Sequence, residues 1–392
     1  MVTRRRIAVL ILSVATICSS AVGADAVDLQ FHPEIGKKQT MRMTSRMVTT
    51  PSVPGLNDSE YVRTFTVELE PTFIDADGSV IMRVTIIRVR EDVSSSTNKF
   101  IEYHFDTNGK HELDRSAGKS IAFRDEIFAI VISAKGRLLK LNTDKFYTAI
   151  AENRIAHEDR AILFDAEIEG IRKYKNDDAA TRSRQIIADA ENAIRETNEK
   201  YGSREKRKET YKAEAPEHSY YGTIALRTLF NNFLAQLPTE PVQPNDSWPG
   251  LVMFGLPCEG PMQLQGKYTL KAVENDVCTI LVDARRNASD MPIGMSPDVG
   301  SMRIILEGAY RATIKVDQTT GLVLGREAVM DLRGKVPMPP EQRAKFGNDV
   351  PVKSRVTITV EKDVHEDVPK KQSLKELRSN IYKALEKFDT LN

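Results

Sequence analysis

Polar and apolar positions divide the chain into unlike stretches. From Asp28 to Leu141 the pattern is that of strands. Thr40–Val48 and Val62–Glu70 alternate or are rich in β-formers, and Asp75-Ala76-Asp77-Gly78 makes a turn into Val80–Val89. That last run is dense in Val, Ile and Thr, whose branched side chains suit a pleated core surface. Ile101–Phe105 is a further short strand, and Ile127–Ser133 with Leu138–Leu141 forms a hairpin about Lys135-Gly136.

From Thr143 to Leu237 the pattern is helical, and Pro238 ends it. The stretch 158–214 is nearly half charged, with Ile187, Ala190, Ile194 and Tyr201 as a thin seam able to close a helical hairpin. It reads as a solvated protrusion, with a partner-binding arm as the functional alternative. Tyr220–Leu237 is different, carrying Ile224, Leu226, Leu229, Phe230, Phe233, Leu234 and Leu237. A helix apolar around most of its circumference is either deeply buried or covers a cavity. As a lid, it would turn Leu226, Leu229, Phe230 and Phe233 toward an apolar-ligand chamber with Trp248 at the hinge; as a core helix, the same residues fill the space.

After Trp248 strands return. Gly266–Val273 and Val277–Ala284 flank an Asn275-Asp276 turn, Met302–Val316 and Leu322–Leu332 flank Gln318-Thr319-Thr320-Gly321, and Val356–Val360 follows. The predicted fold is α+β, mostly antiparallel β, with two related curved-sheet halves over 28–142 and 238–366 and the helical region 143–237 between them. Ser373-Leu374-Lys375-Glu376 is a capping box, and Leu374, Leu377, Ile381, Leu385 and Phe388 mark a docking helix over 370–392.

The first 24 residues form an export signal: Arg4-Arg5-Arg6, an apolar run from Ile7 to Cys18, then small residues at Ala21 and Gly23. The run is too short to span a bilayer, which needs about 20 apolar residues. Cleavage after Gly23 leaves 53 basic against 55 acidic residues. That balance lacks the basic excess of a nucleic-acid-binding protein. No transmembrane helix is expected once the signal is removed. Cys258 and Cys278 then remain; the hairpin places them far apart unless the chain folds back at Gly260-Pro261, so two free thiols are expected in preference to a disulfide.

Candidate chemistry is sparse. Asp75-Ala76-Asp77 fails as a calcium loop, since Val80 and Ile86 stand where Gly and Glu are needed. The six histidines show no helical metal pair, and His104 with Asp106 is the one acid–base candidate. No catalytic, cofactor-binding or metal residue is assigned. Pro241–Trp248 reads as a stiff corner anchored by the only tryptophan, or as a stacking platform for a ligand.

Gly36-Lys37, Asn245-Asp246-Ser247-Trp248, Gly266-Lys267-Tyr268 and Asp317–Gly321 resemble a widespread family of secreted bacterial β-rich proteins of unknown function, over roughly 29–360. Such proteins are more distantly similar to half-barrel carriers of lipoproteins or lipids. The resemblance implies an exported, non-catalytic envelope protein that binds an apolar ligand or lipidated partner. A protein-interaction role for the charged arm is the alternative, and an uncharacterised hydrolase is third.

Overall fold

The computed structural model describes residues 26–52, 58–95, 103–107, 126–217, 222–255, 261–294, 301–338, 343–345 and 347–364. The export signal, Cys258 and the C-terminal helix lie outside the described residues.

Among the described residues twelve strands build a single antiparallel sheet. They are β1 (Gln39–Pro51), β2 (Ser59–Ile74), β3 (Val80–Ser95), β4 (Tyr103–Asp106), β5 (Ile127–Ile132), β6 (Leu138–Asn142), β7 (Ser247–Gly255), β8 (Pro261–Glu274), β9 (Val277–Gly294), β10 (Ser301–Asp317), β11 (Val323–Pro337) and β12 (Asp349–Lys362). The order is β6-β5-β3-β2-β1-β12-β11-β10-β9-β8-β7, with β4 paired to β3. Each part of the chain is therefore a meander, and the last strand joins the first at the centre of the sheet. Their register pairs Met43 with Val360 and Met47 with Val356.

Turn chemistry fixes the hairpins. Gly78, Gly136 and Gly321 take positive φ, as do Asn275 and Asp276 in the β8–β9 turn. The Asp77 carboxylate accepts from the Ser79 amide at 2.8 Å, which lowers its pKa, so this acidic pair is occupied in shaping a turn. Most strands run beyond their predicted ends; β12 extends the predicted five residues to fourteen.

Among the described residues four α-helices and one 3-10 turn (Ala215–Glu217) connect β6 to β7: α1 (Asp144–Lys173), α2 (Ala179–Tyr201), α3 (Arg204–Glu214) and α4 (Thr223–Phe233). The seam predicted for α2 is displaced. Ile187 and Tyr201 are exposed, whereas Ala190 is buried and Ile186 packs on Gly170 of α1. A Cβ at Gly170 would come within 2.3 Å of Ile186, so the close approach of the two helices requires glycine there. The predicted helix 220–237 is also shorter. At Leu234 the backbone turns extended, and Leu237 donates its amide to the Lys135 carbonyl at 3.0 Å. Residues 234–237 thus run as a strap beside the β5–β6 turn. A Cβ at Gly136 would lie 2.1 Å from the Ala235 carbonyl oxygen.

The N-terminal segment closes one end of the sheet. Val27 and Val242 exchange amide hydrogen bonds, Phe31 donates to Ala134, and His32 donates to Thr320. Leu29 and Phe31 are buried beneath.

Candidate functional site

Strand parity separates the two faces of the sheet. The face that touches α4 carries Met41, Met43, Phe65, Val67, Met82, Val84, Ile280, Val282, Met330, Val356 and Ile358, all buried. The opposite face carries charges joined across strands, among them Lys38–Glu68, Arg83–Glu70 and Asp331–Arg355. Membrane-spanning β-barrels turn apolar side chains outward to lipid. This sheet has the reverse polarity, and no described helix is long and apolar enough to cross a membrane.

The sheet curls into a trough. Its edge strands β6 and β7 both touch α4, and so does central β1. Among the described residues β6 and β7 do not pair directly; the strap and α4 fill the seam instead. Gln236 seals the β7 edge twice, accepting from Trp248 Nε1 on its carbonyl (3.0 Å) and from the Leu251 amide on Oε1 (2.8 Å). Pro249 removes another edge donor.

α4 lies in this trough by one face and leaves a stripe of Ile224, Arg227 and Asn231 toward the outside, with Ile224 exposed rather than buried. Leu226, Leu229, Phe230 and Phe233 are all buried. Phe230 meets Phe128 edge-on at 5.5 Å, and Phe128 meets Phe146 of α1 at 4.7 Å. Trp248 stacks on Tyr268 at 6.0 Å, beside the strap that leaves α4. The five predicted ligand-lining residues therefore belong to one apolar cluster.

Sequence reasoning missed Arg326. It projects from β11 into the trough and is 6% exposed. Its guanidinium donates to the Asn231 carbonyl (2.9 Å), Asn232 Oδ1 (3.3 Å) and the Leu234 carbonyl (2.6 Å). α4 has no basic residue in its last turn. Arg326 supplies that charge from across the trough, satisfying carbonyls that a helix end leaves orphaned. The signal was its parity: Arg326 shares a face with Ala328, Met330 and Leu332.

One row of inward residues, in register across nine strands, describes the trough floor. It runs Trp248, Tyr268, Val282, Ala312, Ala328, Ile358, Ser45, Arg63, Glu91. Aromatic rings stand at one end, small side chains at the centre and an ion pair at the other end. Arg63 Nη2 lies 2.6 Å from Glu91, which is 1% exposed, and its guanidinium sits over the Tyr61 and Phe65 rings. Burial raises the Tyr268 pKa to about 12 and the Cys278 thiol to about 11. Cys278 is free and buried, an inert thiol rather than a reactive one. Asp106 is engaged by Arg88, and His104 lies on β4 where its side chain is outside the described residues. Among the described residues no cluster of metal-ligating side chains forms.

Residues 186–323 match the profile of a family of unknown function, DUF6263. The match includes the motifs at 245–248, 266–268 and 317–321 and is shorter than the stretch over which the resemblance was read. No curated protein matches significantly. Among solved structures, lipovitellin, described for its lipid–protein interactions, is similar over 87% of this chain at 10% identity and a TM-score of 0.39; the chain spans 27% of its length. An outer membrane channel of Pseudomonas putida F1 is similar over 86% of this chain and 98% of its own, at 8% identity and a TM-score of 0.21.

Proposed function

We propose that this chain is a non-catalytic binding protein of the cell envelope that holds an apolar ligand, or the lipid chain of a modified partner, in the trough. The observation that carries this reading is the unclosed seam. An apolar inner face spread over eleven strands is completed by a short helix rather than by β6–β7 pairing. A helix that fills the seam by side-chain packing, without strand pairing, can exchange those contacts for another apolar body, whereas a closed strand ladder cannot. Leu226, Leu229, Phe230 and Phe233 would then trade their contacts for the ligand, with Trp248 marking the hinge.

The test is saturable binding of an environment-sensitive apolar dye by the purified mature protein, displaced by a long-chain fatty acid. Negligible binding by folded wild-type protein would sink the proposal and leave α4 as a plain core helix. The envelope location rests on residues 1–24, so N-terminal sequencing of envelope material should begin at Ala24 or Asp25; an intact Met1 refutes it.

A second reading has its own observation. The arm formed by α1–α3 exposes Leu163, Ile187 and Tyr201 while keeping a separate small core. An arm that docks a protein partner would lose that partner on Ile187→Asp with dye binding unchanged.

A further inference from the structure

Charges on the outer face are treated differently in the first meander and over β7–β10 of the second. In the first, Arg46 pairs with Glu60, Lys38 with Glu68, Arg83 with Glu70 and Arg88 with Asp106. In the second, a cleft of about 730 Å³ crosses β7 to β10. Its floor on the outer face is shallow, because Ala309 and Pro249 stand among the charged residues and Gly266 and Ala284 contribute only backbone there. Its walls carry Lys267, Arg285 and Arg311 against one carboxylate, Asp283. Register sets Lys267 and Arg311 directly opposite Asp283 on its two neighbouring strands. All four side chains are exposed. Among the described residues, no hydrogen bond or ion pair neutralises any of them.

From this we propose that the cleft is a binding site for a phosphate-bearing organic anion. Two guanidinium groups and an ammonium match phosphate oxygens in geometry and charge. The volume falls among the roughly 300–1,000 Å³ of ligand pockets, far more than a bare phosphate ion fills. The cleft thus has room for a phosphate ester with a body of its own, either a soluble sugar or polyol phosphate or an anionic phospholipid headgroup presented at a membrane surface. Asp283 between the cations disfavours a second closely spaced negative charge and selects a single phosphate. This site lies outside the trough and stands whether or not the trough takes a ligand.

Occupancy is read by isothermal titration calorimetry, since Trp248, the only tryptophan, turns its indole into the trough. The mature protein is titrated with glycerol phosphate and, separately, floated with phosphatidylcholine vesicles with and without phosphatidylglycerol. Binding should weaken as salt rises. Arg285→Gln and Arg311→Gln should each weaken it by about tenfold, while Arg46→Gln on the first meander leaves it unchanged. A response to glycerol phosphate alone identifies a soluble ligand, and flotation only with phosphatidylglycerol identifies a headgroup; both uphold the site. No response to either probe overturns it, as does equal binding by the cleft variants and Arg46→Gln. These exposed changes should not shift the thermal midpoint, so a loss of binding is not a loss of fold.

Discussion

α4 and the arm are both helical and are held in opposite ways. The eleven residues of α4 are fixed by apolar side chains in the main core and by a guanidinium from another strand. The arm is fixed by charge. Arg207, 2% exposed on α3, reaches Glu158 and Asp159 of α1 and Asn198 of α2, while Tyr211 donates to Glu158 and stacks under Arg154 at 3.5 Å. Ala151, Ile155, Ala161, Ile162 and Ala190 are buried in it but stand apart from the main cluster. One helix completes the sheet; the others make a satellite attached near Phe146 and Ala215. Damage should spread accordingly.

The largest effect should come from Phe230→Ala, which empties a fully buried site and should cost about 3–5 kcal/mol in denaturant unfolding. A cost below about 1 kcal/mol would show that α4 is not part of the core. Arg326→Met comes next, at about 2–3 kcal/mol, since it strands buried carbonyls at the end of α4. It also sharpens the functional reading: loosening the helix should tighten apolar-dye binding if α4 must yield, because less of the binding-competent state is then withheld. Alkaline pH acts on the same core. The folded state holds the Tyr268 and Cys278 protons more tightly than the unfolded chain, with pKa values near 12 and 11 against ordinary values of 10.0 and 9.0. Their contribution is complete below pH 9 and is lost as pH rises through 11 to 12. Denaturation midpoints should therefore fall above pH 9, and less steeply in Tyr268→Phe. Smallest of all, replacing 158–214 by a short Gly/Ser linker should move the melting midpoint of the sheet by only a few degrees, since loop closure costs little extra entropy. A collapse of the sheet signal would break the comparison.

The hairpins were legible because they are local. Asp75–Gly78, Lys135-Gly136, Asn275-Asp276 and Gln318–Gly321 announce their turns within a few residues, and alternation identifies the strands they join. What was hidden depends on residues far apart in sequence. Nothing near Arg326 points to Asn231 or Leu234, and nothing in Thr40–Val48 names Val356–Val360 as its neighbour. Arg63 and Glu91 are hidden for the same reason, although each shares parity with core residues of its strand. A charged residue on the apolar face of a strand is the signal that periodicity alone passes over. In α2 the error was one of phase: both Ile186 and Ile187 fit a seam, and the close approach allowed by Gly170 selects the first.

The joining of β12 to β1 sets the order of events in biogenesis. Met43 meets Val360 across more than three hundred residues, so the inner edge of the first meander stays unpaired until nearly the whole chain has been made. Such distant pairing is slow, and an open edge strand invites intermolecular pairing while it waits. A chain that cannot complete its sheet during synthesis remains threadable. Until β12 arrives, the open edge of β1 is where a half-made chain is most exposed to its neighbours.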